Sequence, residues 1–407
     1  MDLMFSKLKG DRWLWIIIIC LSLWSLAAVY SSVGALAYKE GKGTEVYLIK
    51  HTLLIVGGFA LMYFSHKLNY QWYAGISKIL MIITIPLLLY TLLFGNNVND
   101  ASRWVTIPII NQTFQTSDLA KLALITFLAR TLTRKQENIK NFQKSFLPII
   151  ISVVVIFALI APANLSTALM LFGVSILLLI IGRISIKQIA IVCFAVFGVL
   201  LLVIFLGPRR QTYVSRVQTY LGVNNEIGEV KNRDKSFQAD HAKIAIATGG
   251  LFGKGPGNST QRNVLPHPYS DFIFAIIIEE YGAVGGVVLV LLYVGLMFRC
   301  IRIVTQSPKA FGALLAAGLG FSLTLQAMAN MAVAVGLGPV TGIPLPLVSM
   351  GGTSILFTSI AFGIILSVSR SIDEMKQRDR LEQVGERTRE SRSSGNKVVV
   401  GEIPAVS

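Results

Sequence analysis

Residues 146–181 read FLPIIISVVVIFALIAPANLSTALMLFGVSILLLII, a run without a single charged side chain. Wound as one helix it would be about 54 Å long, against a hydrocarbon layer of about 30 Å. It must therefore fold back on itself. Pro162 and Asn164 are the turn formers at its centre, so a tight hairpin there joins two membrane-crossing helices.

Outward from this hairpin the same texture recurs. Apolar runs of bilayer length, or nearly so, begin near Trp13, Tyr47, Tyr73, Ser117, Ser145, Leu165, Ile189, Asp271, Phe311 and Thr353, the one from Ser117 being short. Hydrophobic residues make up 53% of the 407-residue chain and charged ones 14%, too few to clothe a soluble protein of this size. The expected fold is an all-α polytopic membrane protein of about ten transmembrane helices, with a long extracytoplasmic loop between the seventh and eighth. It divides into a cytoplasmic N-terminus (1–12), a membrane domain (13–369) that contains the long loop (207–270), and a cytoplasmic tail (370–407). The tail alternates charges and then turns Ser/Gly-rich, which predicts a short helix followed by disorder. The run from Trp13 exceeds a signal-peptide core and leads straight into further spans, so a retained helix is expected there.

Counted across these spans, one face receives Lys7, Lys9 and Arg12, then Arg130, Arg134, Lys135, Lys140 and Lys144, then Arg183 and Lys187, then Arg299, Arg302 and Lys309, and finally the basic tail from Arg370. That face is expected to be the cytoplasm, with both termini inside. The stretch 208–270 falls outside although it carries Arg209, Arg210, Arg216, Lys231, Arg233, Lys235, Lys243, Lys254 and Arg262; loops of about sixty residues cross regardless of charge. Its basic excess suits an anionic substrate or lipid head group, or else forms a solvated surface balanced by Glu226, Glu229, Asp234 and Asp240. Membrane topology accounts for the net charge of +16, and without an RNA- or DNA-binding module no nucleic acid partner is expected. The three cysteines sit in or beside apolar runs and the four histidines form no ligand spacing, which argues against redox chemistry and a structural zinc site.

Ionisable groups at membrane depth are costly and point to function, which narrows the candidates to Asp118, Lys121, Asp271, Glu279 and Glu280. Asp271 opens the eighth span after Pro266 and Pro268; alone, it reads equally as an acidic helix cap. Glu279 lies about 12 Å deeper and about 80° round the helix, with Glu280 opposite, so only one of them can share a cavity with Asp271. Asp118 and Lys121, at i and i+3, can pair in low dielectric. The loop Gly249-Gly-Leu-Phe-Gly-Lys-Gly-Pro-Gly-Asn lacks the first Gly of a Walker spacing and has Gly255 where Ser or Thr is required. Its glycines suit close backbone approach to a substrate or another loop instead.

Four segments, in order from about Trp13 to Arg370, resemble the SEDS family of polytopic cell-wall proteins, and within it the FtsW branch. They are Asn99-Asp-Ala-Ser-Arg-Trp with Phe114-Gln-Thr-Ser-Asp-Leu-Ala-Lys; Lys243-Ile-Ala-Ile-Ala-Thr-Gly-Gly-Leu-Phe-Gly-Lys-Gly-Pro-Gly-Asn-Ser-Thr-Gln; Leu265-Pro-His-Pro-Tyr-Ser-Asp-Phe-Ile-Phe-Ala-Ile; and Pro339-Val-Thr-Gly-Ile-Pro-Leu-Pro-Leu-Val-Ser-Met-Gly-Gly-Thr-Ser. The resemblance implies a peptidoglycan glycosyltransferase that polymerises lipid II at the division septum and releases undecaprenyl diphosphate. It puts the family's essential aspartate at Asp271, as the base for the attacking sugar hydroxyl. Around the substrate it places Arg103, Asp118, Lys121, Lys243, Asn258, Gln261, Arg262, Glu279, Thr341 and Ser349. Lys243 and Arg262, and with them a divalent cation (magnesium or manganese), would offset charge on the leaving diphosphate, although no metal ligand set is readable. The implied partners are a class B penicillin-binding protein transpeptidase and other divisome proteins.

This chain departs from the family pattern at Asn164, where an acid is usual, at Asp118 and Thr116, at His241-Ala242 before Lys243, and at His267-Pro-Tyr-Ser before Asp271. A lipid II flippase, an elongation polymerase of the RodA type and a non-catalytic divisome scaffold are the alternatives. A flippase needs a polar path through the bilayer, which Asp118, Lys121 and Glu279 could line. The largest polar and basic cluster lies instead in the outer loop.

Overall fold

The computed structural model describes residues 9–39, 41, 43–98, 101–107, 112–138, 141–207, 210–221, 229–265 and 268–397. Of the residues singled out above, Lys7, Asn99, Asp100, Lys140, Arg209, Glu226, Pro266 and His267 lie outside these.

The chain winds into helices α1 (Arg12–Ser32), α2 (Gly34–Lys39), α3 (Thr44–Lys67) and α4 (Tyr70–Phe94), followed by strands β1 (Asn96–Val98), β2 (Ala101–Ile107) and β3 (Gln112–Gln115). It continues with α5 (Thr116–Arg134), α6 (Leu147–Ile160), α7 (Leu165–Ile181), α8 (Ile186–Leu206), α9 (Arg210–Leu221), α10 (Glu229–Gly249), α11 (Ile273–Gln306), α12 (Ala310–Ala334) and α13 (Ser354–Lys397). Among the described residues seven helices are long and apolar enough to cross a membrane: α1, α3, α4, α8, α11, α12 and the first part of α13. The other three runs assigned to spans are the 14-residue α6, the 17-residue α7 and the less apolar 19-residue α5.

Local chemistry sets the helix ends. The Asp11 carboxylate accepts from the Trp13 and Leu14 backbone N–H groups at 3.0 and 3.2 Å, and the Asn69, Asn164 and Ser185 side chains cap α4, α7 and α8 in the same way. The α6–α7 hairpin turns where Pro162 and Asn164 predict it, and the Tyr213 hydroxyl of α9 donates to the Ala161 and Pro162 carbonyls at 2.9 and 3.0 Å. Helix α11 packs along α1, α10 and α12, and α12 packs along α5, α7 and α13, so their facing sides are buried while the outer faces of α4 and α8 stay exposed for lipid.

Four elements differ from expectation. Residues 96–115 form an antiparallel sheet of order β1-β2-β3, with Trp104 opposite Gln115 and Val105 opposite Phe114. Within the long loop the chain is helical at α9 and α10. Beyond Arg370, where a short helix followed by disorder is expected, α13 runs on to Lys397; its charges recur at helical spacing, as in the Arg370–Glu374 pair at i, i+4.

The largest departure lies in α11, which is interrupted at Gly282 (φ 71, ψ −173), a conformation essentially reserved for glycine. The break leaves a buried segment, 273–281, followed by 283–306, the length of one span. The glycine-rich loop fills the break. Ala283 and Val284 donate backbone N–H bonds to Gly250 and Leu251 at 2.9 and 3.2 Å, while Lys254 and Gly255 donate to Glu279 and Glu280 at 2.9 Å each. A Cβ on Gly282 would stand 2.1 Å from the Leu251 carbonyl oxygen, and one on Gly253 2.2 Å from that of Glu280. Gly282→Ala therefore combines a forbidden backbone angle with a backbone clash, and we expect it to lower stability by about 3 kcal/mol or more, read as a fall in the detergent melting temperature.

Candidate functional site

Asp271 sits in the turn before α11 and is half-buried. The cap position of α11 belongs to Phe272, which makes no side-chain cap bond, so Asp271 is not the helix cap its place in the sequence allows. Its Oδ1 accepts from the Ser270 hydroxyl at 2.9 Å, and its Oδ2 lies against Gly342, 3.3 Å from where a Cβ would stand. Gly342 has φ +64, so that position both needs and exploits the absence of a side chain.

The backbone around Asp271 is held from two sides. On α12, the Asn330 amide donates to the Asp271 carbonyl at 2.9 Å and to the Ile343 carbonyl at 2.7 Å. In the loop between α12 and α13, the buried Ser349 hydroxyl donates to the Ser270 carbonyl at 2.6 Å and accepts from the Leu345 N–H at 2.8 Å, while the Met350 N–H donates to Tyr269. The same loop is tied from below. Gln326 donates to Pro344 at 2.9 Å and accepts from Lys121 at 3.0 Å, Tyr293 bonds Pro346, and the Ser25 hydroxyl joins Val348 to the buried His51.

The Asp118–Lys121 pair forms at 2.8 Å, as the i, i+3 spacing predicts. It lies in a narrow crevice between α5, α12 and α13, and through Gln326 it supports the loop that faces Asp271. Thr341 is half-buried beside Gly342, and the exposed Lys243 lies over Gly336, 3.0 Å from a Cβ built there, so Lys243 and Asp271 approach the same loop. Arg103 lies on β2.

Glu279 does not open toward Asp271, contrary to its expected place beside the substrate. Its carboxylate is fully buried, pairs with Lys254 at 2.6 Å, and accepts from the Thr260 N–H and hydroxyl at 3.1 and 2.8 Å, the Gln261 N–H at 3.2 Å and the Ser259 hydroxyl. Glu280, on the other side, accepts from Ser31 of α1 and from the Ser259 N–H at 3.3 Å. Arg262 turns its guanidinium to the Ser31 carbonyl at 3.0 Å, Gln261 meets His241 at 2.6 Å, and the exposed Asn258 donates to the Lys254 carbonyl. These side chains knit the glycine-rich loop to α11 and α1. Burial of an ionised pair is tolerated here because every side of Glu279 has a donor.

Asn330 and Gln326 were not among the expected site residues. Both are buried polar side chains at i, i+4 on one face of an otherwise apolar helix, the signal that could have found them. Among the described residues no three His, Cys, Asp or Glu side chains gather as a metal cage, and no step below is drawn through a cation.

Residues 11–374 match the family model FTSW_RODA_SPOVE, described as cell cycle protein. The chain is 34% identical to stage V sporulation protein E of Bacillus subtilis over 377 residues, covering 90% of this chain and 98% of that protein. It is 32% identical to a probable peptidoglycan glycosyltransferase FtsW of Geobacter sp. strain M18, covering 86% and 94%. In fold it is similar to a chain of a peptidoglycan synthase complex described as coordinating polymerization and crosslinking, with a TM-score of 0.69 at 22% identity, covering 89% of this chain and 98% of that one. The rod shape determining protein RodA of Thermus thermophilus gives a TM-score of 0.65 at 22% identity, covering 90% and 98%.

Proposed function

This chain belongs to the FtsW/RodA/SpoVE family of cell cycle proteins, and from that membership we propose that it is a peptidoglycan glycosyltransferase polymerising lipid II at the division septum. The observation that carries the reading is the half-buried Asp271 carboxylate, one residue outside the cap position of α11 and with its Oδ2 against Gly342, which has no side chain. In this scheme the 4-hydroxyl of the acceptor sugar attacks the anomeric carbon of the donor. The new glycosidic bond forms as the bond to the lipid diphosphate breaks, the hydroxyl proton passes to Asp271, and undecaprenyl diphosphate leaves with inversion. In this scheme Lys243, which lies over Gly336 in the loop that also carries Gly342 and stands 3.7 Å from Asp240, turns to the leaving diphosphate, while Arg262, engaged by Ser31, acts through the loop it anchors.

The basic face at Arg12, Arg134, Arg183 and Arg302 is the cytoplasm in this reading, ten helices cross the plasma membrane, and both termini lie inside. The partner is a class B penicillin-binding protein whose transpeptidase crosslinks the new strand. The test is reconstitution of the chain with that partner and lipid II in vesicles. Glycan strands are expected; movement of lipid II across the bilayer without strand formation would establish a flippase instead.

Asn330 supports the proton acceptor by holding its backbone. Asn330→Ala removes the bonds to the Asp271 and Ile343 carbonyls, the second of them buried, so stability should fall by about 1–3 kcal/mol. Loosening Asp271 by about 1 Å should slow strand formation roughly a hundredfold, measured as strand yield against time.

A further inference from the structure

We propose that the end of the bundle opposite Asp271 holds a binding site for the phosphate group of an anionic inner-leaflet phospholipid. A cavity of about 300 Å³ opens there between the start of α1, the last turns of α11 and the stretch of α13 that follows Ser369. At about 30 Å³ per water this is room for roughly ten waters, enough for a glycerophosphate head group. Arg12, Arg299, Arg302 and Lys376 line it against Asp11 and Asp373, so four positive charges face two negative ones.

The charges inside are not equivalent. Asp11 is spent on Arg299, whose Nε donates to it at 2.8 Å, and its backbone N–H donates to Ser369 at 2.9 Å, so this pair forms a neutral, part-buried floor. Lys376 reaches over to Gln306 at 2.8 Å. Arg302 is exposed at the rim, and its side chain has no hydrogen-bond or ion-pair partner among the described residues. An unpaired guanidinium beside a neutralised floor favours a phosphate ester, which accepts from it in a planar fork.

The level of the cavity points to a lipid rather than a soluble ion. It lies where α1 begins, α11 ends and α13 leaves its apolar stretch, and Trp13, 62% exposed, stands at its edge where aromatic side chains mark the head-group layer. Basic pockets between helix ends on the cytoplasmic side suit anionic head groups. The stretch of α11 after the break, from 283 to 299, alone puts roughly 24 Å of helix at 1.5 Å per residue between it and the turn that carries Asp271, so it is distinct from the candidate active site.

The experiment uses the full chain in nanodiscs of phosphatidylcholine with phosphatidylglycerol, and counts phosphatidylglycerol retained by native mass spectrometry. The wild-type chain retains it, Arg302→Gln with Lys376→Gln weakens retention about fivefold per charge, and Arg302→Lys with Lys376→Arg keeps it. Lys309→Gln removes a charge near the same end but outside the cavity, and leaves retention unchanged. Equal retention by the Gln pair, or an equal loss in Lys309→Gln, overturns the site. Displacement of the lipid by millimolar inorganic phosphate assigns the cavity to a soluble phosphate and overturns the lipid assignment.

Discussion

Asp271→Asn should cut glycan strand formation by about 10²–10⁴-fold, the range a positioned general base supplies, without altering how the protein folds. The substitution keeps the side chain's size, and the Asn oxygen can still accept from the Ser270 hydroxyl. The bonds that locate the residue run to its backbone, from Asn330 to its own carbonyl and from Ser349 to that of Ser270, and neither depends on the carboxylate. What the substitution removes is the carboxylate's ability to take up a proton. Purified variant with lipid II and the transpeptidase partner should therefore melt with the wild type and make almost no strands. Normal strand formation would remove Asp271 from the chemistry and leave the fold and family untouched.

Glu279→Ala should be the most damaging substitution at the join between the glycine-rich loop and α11. It strips a fully buried acceptor from Lys254, Ser259, Thr260 and Gln261 together and strands two backbone N–H groups. Deleting one partner of a buried ion pair costs about 3–5 kcal/mol. Lys254 keeps 29% of its side-chain surface exposed, so its ammonium can turn to water and the loss lies at the lower end of that range. Glu279→Gln retains an acceptor oxygen and should lose less. Hydrogen exchange over residues 250–262 is the readout, with protection falling in the order wild type, Gln, Ala. Unchanged protection in the Ala variant would show that the glycine contacts hold the loop unaided.

Much of the helical fold was legible because lipid demands long apolar runs. The hairpin at Pro162 and the starts of α5, α7, α12 and α13 fall within a residue of where the sequence puts them. The sheet at 96–115 was not, since its strands are short and lie between two strongly apolar runs. Nor was the break at Gly282. Hydropathy stays high from Ile273 onward, and a glycine with positive φ looks on paper like any other small helical residue. That hidden break is why Glu279 reads as a residue deep in a span when it is the anchor of a loop. For Asp271 the difference between cap and candidate base is a boundary shift of one or two residues, smaller than sequence patterns resolve. The Asp118–Lys121 pair was readable from spacing alone; its link through Gln326 to the loop facing Asp271 needed three dimensions.

The interlock at Gly282 also bears on how the protein is made. Residues 249–255 leave the ribosome before residues 279–284, so the groups that complete the broken helix are synthesised ahead of it. Were they absent when the later segment partitions into lipid, its bare peptide groups would each cost several kcal/mol in hydrocarbon. Biogenesis thus has a built-in order: the earlier stretch provides the mould into which the later helix settles.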